Sequence, residues 1–234
     1  MEKLRREAPV PGKKSRLAAA VAVAGACALL AACSPVKVGA AAIVGSDRIT
    51  SASLDSQVSN LQQSGDASQI PTADLPKAVL GWLISFAVRN QTAHNAGITV
   101  SQSDIQNALT SLQQQAEQSA GTSVTINQVV AANGVPPDLS TQFGQWYAQL
   151  VDYYTLKNGG KLPATQAAET KVNDELVTAD CKSAKSLGVQ VNPQYGQLSY
   201  ESSFSIYLIA NGNDLLSRAA GPKSAATKST LPSC

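Results

Sequence analysis

Histidine occurs once in the 234 residues, at His94, and methionine once; aromatic side chains make up 5% of the chain and charged ones 15%. A zinc site of His and Cys ligands is unsupported, because no such residues stand at ligand spacing. The chain lacks a phosphate-binding loop, a metal motif and a nucleophile elbow. It also lacks an internal repeat and the strand–helix alternation of a parallel α/β fold. No apolar run reaches the roughly 20 residues that a stable membrane span needs. An enzyme is therefore the class least supported, with no catalytic residues or metal ligands assigned.

The first 16 residues are basic, carrying Lys3, Arg5, Arg6, Lys13, Lys14 and Arg16 against Glu2 and Glu7. An apolar stretch, Leu17 to Ala32, follows and ends in small residues before Cys33. A basic head, a short apolar run and a small-residue cleavage site describe a secretory signal. Arg5 and Arg6 lack the flanks of a twin-arginine signal, so general secretion is expected. LLAAC, Leu29 to Cys33, resembles the lipobox of bacterial lipoproteins. That resemblance implies cleavage between Ala32 and Cys33 and covalent lipid on Cys33. It places the chain on the extracytoplasmic face of the cell membrane. Two acyl chains hold where one holds marginally, at about 0.8 kcal/mol per buried methylene.

Six of the 18 basic and two of the 16 acidic residues precede Cys33, so the remainder carries 12 against 14, a net charge of −2. No basic surface is left to follow a phosphate backbone, and nucleic acid is excluded as a partner. Of four cysteines, Cys27 leaves with the signal and Cys33 takes the lipid. Cys181 and Cys234 remain in an oxidising compartment, where an even pair reads as one disulfide. Such a bridge would contribute about 4 kcal/mol in the chain-entropy model. Two separate thiols are the alternative.

Apolar periodicity and end signals predict six helices. AAIVGSDRIT, residues 41–50, reads as a small hairpin whose Thr50 caps a helix faced by Leu54, Val58 and Leu61. A helix from Asp74, with Pro76 in its first turn, is apolar nearly all round from Ala78 to Val88 and belongs at the centre of a helical domain. Gly97 stops it. Ser101 and Asp104 form a capping box for a helix faced by Ile105, Leu109, Leu112 and Ala116, whose QQQAEQSAG tail is expected to fray. Thr125 caps a short helix closed by Gly134. Helices at 139–157 and 165–187 follow, and the segments 189–199 and 203–209 have strand character.

Few residues could carry chemistry. His94 could act as a base or pH sensor, but its place near a helix C-terminus fits interaction with carbonyls or solvent better. Asp104 and Asp152 form no recognisable catalytic pair. Trp82, Phe86, Phe143, Trp146 and Tyr147 either complete the core or line a crevice able to grip apolar side chains of a peptide. Trp82 and Trp146 are the leading candidates, since Trp is seldom fully buried.

Four stretches, in order, resemble the N-terminal chaperone domain of SurA-type and PrsA-type foldases. They are AAIVGSDRIT, AVLGWLISFAVRNQTAHNAGITVSQSDIQNAL, INQVVAANGVPPDLSTQFGQW and the closing VNPQYGQL. The resemblance is distant to the chaperone part of trigger factor. It implies a mostly α domain over 41–200, with a small β element joining its N- and C-terminal segments. A lipidated tether, 33–40, would precede it, and a strand with a polar tail, 201–234, would follow. In the foldases a parvulin prolyl-isomerase domain interrupts the chain, and here NGGKLPAT is too short to hold one. The resemblance thus implies a non-catalytic binder of extended or unfolded polypeptides without a cofactor. The alternative is an adaptor holding one envelope protein.

Overall fold

A computed structural model describes residues 38–65, 70–199 and 207–209. The expected signal, its expected cleavage site at Ala32, the expected lipid site Cys33 and Cys234 lie outside the described residues. The described chain opens with β1 (Ala40–Val44) and β2 (Asp47–Thr50), turning at Gly45 with φ +62°. Ala40, Ala41, Ala42 and Val44 are all buried, so β1 is an inner strand. β1 also pairs antiparallel with β3 (Gln190–Val191), in the order β2-β1-β3. The joint is tightened by Gly45 N–H donating to the Leu187 carbonyl at 2.7 Å and Asn192 N–H to that of Ala41 at 2.9 Å. The ends of the domain therefore meet in one small sheet, as expected. A separate hairpin pairs β4 (Gln197–Ser199) with β5 (Tyr207–Ile209) across the expected boundary at 200.

Six helices fill the rest of the described chain: α1 (Ser51–Gln63), α2 (Leu75–Asn95), α3 (Gln102–Ala120), α4 (Ile126–Ala132), α5 (Ser140–Lys157) and α6 (Gln166–Ser186). Their starts follow the local chemistry. Thr50 accepts from Ser53 N–H, and Thr165 from Ala168 N–H. Ser101 with Asp104, and Thr125 with Gln128, form reciprocal capping boxes. The expected fraying of the α3 tail is corrected: the helix holds to Ala120 and stops at left-handed Gly121. Gln, Glu and Ala are good helix formers, and Gln113 ties the last turns to the Val124 carbonyl at 2.9 Å.

α2 is the spine. It packs against β1, α1, α5 and α6. One side puts Val79, Leu80, Ile84 and Val88, all 0% exposed, into an aliphatic cluster with Leu54 and Leu61 of α1 and the alanines of β1. The other puts Phe86 into an aromatic cluster with Phe143, Trp146, Tyr153 and Tyr154 of α5 and Leu176 of α6. α3 lies on α5 through a close approach at Gly144. A Cβ there would sit 2.7 Å from Leu109 Cγ and 3.1 Å from Ile105 Cγ2, so the contact depends on glycine. Among the described residues no helix is long and apolar enough to cross a membrane.

Candidate functional site

A crevice of about 800 Å³ opens between α2 and α5. Helical spacing builds its walls. α2 contributes Ala78, Gly81 and Trp82, where two small residues leave room beside one large one. α5 contributes Phe143, Trp146, Tyr147, Leu150, Val151 and Tyr154, one stripe at intervals of three and four. Leu112 of α3, Ile70 and Leu162 close the sides; Leu162 is 55% exposed. Asp74, Lys77, Asn133 and Glu169 supply the polar lining. The volume lies within the roughly 300–1,000 Å³ of typical ligand clefts.

The rings hold one another in defined geometry. Trp82 meets Phe143 at 5.3 Å and 79°, and Trp146 at 5.1 Å and 84°, both edge to face. Phe143 and Trp146 stack at 5.9 Å and 10°. The Trp82 indole N–H donates to the Asn133 carbonyl at 2.8 Å, which satisfies its one polar atom and ties α2 to the end of α4. Such ring pairs contribute about 0.5–1.5 kcal/mol each beyond their buried area. The crevice is thus preformed.

Beneath the rings lies a buried charge. Arg89, 2% exposed, places its guanidinium carbon 4.9 Å from the Trp146 ring centroid. It donates from Nη2 and Nε to the two oxygens of Asp180, at 2.8 and 3.3 Å. One turn on, Thr92 donates to Ser183 at 2.9 Å. Both pairs are 91 residues apart in sequence, so α2 and α6 run parallel along this polar seam. Arg89 Nη1 is buried and meets no hydrogen-bond partner among the described residues. Gln145 and Gln149 both donate to Asn90 Oδ1, at 3.0 and 2.8 Å, and set α5 against α2.

Among the described residues the titratable groups show no catalytic pairing. Burial, then the Glu169 charge, pushes the Tyr154 phenol up to about 12; it stays protonated and donates to Asn173 at 3.3 Å. Bonds from Ser101 hold Asp104 below the usual aspartate value, as a cap requires. Burial, then the Asp104 charge, raises Asp152. The fold therefore brings these two acids within electrostatic reach, which the sequence did not indicate. His94 is exposed in the last turn of α2. Among the described residues no group of three His, Cys, Asp or Glu could hold a metal ion.

Of the five aromatic candidates, Trp82, Phe143, Trp146 and Tyr147 line the crevice. Phe86 does not: it is 7% exposed and backs Trp82 at 5.7 Å. Trp146 is itself only 5% exposed, so Trp82 and Tyr147 are the more open of the four. Sequence reasoning passed over Asn133, Leu162 and Glu169, which come from separate elements and leave no local signal, and placed Leu112 only on the apolar face of its helix. Arg89 did leave one, as a lone cation closing an apolar run. Cys181, 4% exposed on α6, is not a free thiol.

A family model described as the SurA-like N-terminal domain matches residues 13–139, and no parvulin domain is matched. That span runs through α4, so it carries the α2, α3 and Asn133 walls of the crevice, while α5 and α6 complete it from beyond the match. No curated protein and no solved structure matches the chain. Domains of the matched kind are non-catalytic and chaperone-like, and they bind polypeptide clients. With more than half its length matched and a mostly helical fold closed by a small sheet, the chain belongs to the SurA-like N-terminal domain family.

Proposed function

We propose that this chain is a non-catalytic, lipid-anchored chaperone-like protein that binds extended or unfolded polypeptides in the aromatic crevice. The preformed crevice on a domain of this family is the observation that carries the reading. Rigid rings offer apolar area at low entropic cost, because little side-chain freedom is lost on contact. Two acyl chains on Cys33 would keep the crevice at the outer face of the cytoplasmic membrane, where exported chains emerge unfolded. A Cys181–Cys234 bridge would fasten the polar C-terminal tail to α6. Peptide mapping with and without reductant tests that pairing.

The test of function uses the mature chain with Cys33→Ser, titrated into a denatured, aggregation-prone reporter and followed by light scattering. Suppression that is lost in Trp82→Ala and Tyr147→Ala supports client binding in the crevice. Unchanged scattering would remove the general chaperone role. Crosslinking on intact cells would then look for one stoichiometric envelope partner, the adaptor reading. Labelling with palmitate, abolished by Cys33→Ser, tests the anchor.

A further inference from the structure

The crevice walls are apolar, but its rim is unevenly charged. Asp74, Lys77 and Glu169 are its ionisable rim groups apart from the tyrosines. Lys77 Nζ lies 3.8 Å from Asp74 Oδ1, and the two offset one another. Among the described residues Glu169 forms no salt bridge. Glu169 lines the same crevice as Tyr154, beside its apolar lining. The rim therefore carries one uncompensated negative charge. The aromatic faces of the lining add negative quadrupole, which attracts cations, and the mature chain as a whole is at −2.

We propose that the crevice selects polypeptide segments in which an apolar side chain is flanked by Lys or Arg. The apolar group fills the space between Trp82, Tyr147 and Leu150, and the neighbouring cation lies against Glu169. This rests on the reading that the crevice binds polypeptide, and it specifies which segments it takes. A segment flanked by Asp or Glu would bring like charges together and bind more weakly. The contribution of an exposed charge pair translates into about a two- to fivefold difference in affinity.

The experiment measures fluorescence anisotropy of three labelled peptides with one Leu-Phe anchor, flanked by Lys, by Ser or by Glu. The protein is the mature chain with Cys33→Ser. The expected order is Lys tightest and Glu weakest, converging at high salt as exposed charges are screened. Glu169→Gln removes most of the preference, whereas Asp55→Asn, on the distant helix α1, leaves it. Trp82→Ala weakens all three. Equal affinities, or a preference that survives Glu169→Gln, would overturn the charge selection while leaving the crevice as a polypeptide site. If none of the peptides binds, the crevice is not a polypeptide site and both readings fall. Concentration-dependent self-association that excludes the peptides would instead assign the crevice to a second copy of the chain.

Discussion

The two sides of α2 answer different physical demands. On one side Val79, Leu80, Ile84 and Val88 meet short aliphatic partners and are sealed to 0% exposure. On the other, rings too large and too rigid to interdigitate fully leave a crevice of about 800 Å³ with a buried ion pair behind it. Small branched side chains pack to crystal-like density and exclude voids. Edge-to-face rings keep fixed spacings and leave space between them. One helix therefore divides a sealed half that stabilises from an open half that can bind.

That division is open to direct attack. The largest effect is expected from Arg89→Ala, which leaves the Asp180 carboxylate without its cation and should cost about 3–5 kcal/mol in chemical denaturation. Arg89→Met with Asp180→Leu should restore that stability, because a matched apolar pair replaces a charge pair at little cost. If the double change also preserves peptide affinity, the cation under Trp146 serves the fold alone. Leu80→Ala, in the sealed half, should cost about 2–5 kcal/mol through lost burial and a cavity. Denatured-reporter binding by the remaining folded molecules should not change, in contrast to Trp82→Ala. Gly144→Ala should cost about 1–3 kcal/mol by forcing Leu109 away from α5; an unaltered melting temperature would show that α3 can shift freely.

The smallest effect concerns pH. Asp152 is raised in the folded state, so its contribution favours folding below the unfolded pKa and is lost as pH rises through the folded one. Asp104 is lowered, so its contribution is present above the unfolded pKa and lost as pH falls through the folded one. Asp152→Asn should therefore stabilise the chain near pH 7, by less than about 0.5 kcal/mol after solvent screening, and not near pH 3. Thermal melts at the two pH values check this.

Much of the fold was legible because its signals are local. Thr50, Ser101 and Thr125 cap the helices that follow them, and Gly45, Gly97 and Gly134 turn where a positive φ is needed. The extent of α3 was misjudged because its Gln-rich tail is polar, and its support comes from side-chain bonds to the following loop. The crevice was half legible. The α5 stripe is periodic, and Trp82 stands out in an apolar run. Phe86 carried the same signal, yet one turn on from Trp82 it is 7% exposed and packs behind that ring rather than lining the crevice.

The amino-acid sequence by itself determined the helices, most of their ends and the central place of α2, since these follow from short-range periodicity and capping. Tertiary structure alone decided that Arg89 would meet Asp180, that Glu169 would stand at the rim beside Tyr154, and that α3 and α5 would close on Gly144. Those contacts join residues tens of positions apart, and nothing in either local segment encodes the distance between them.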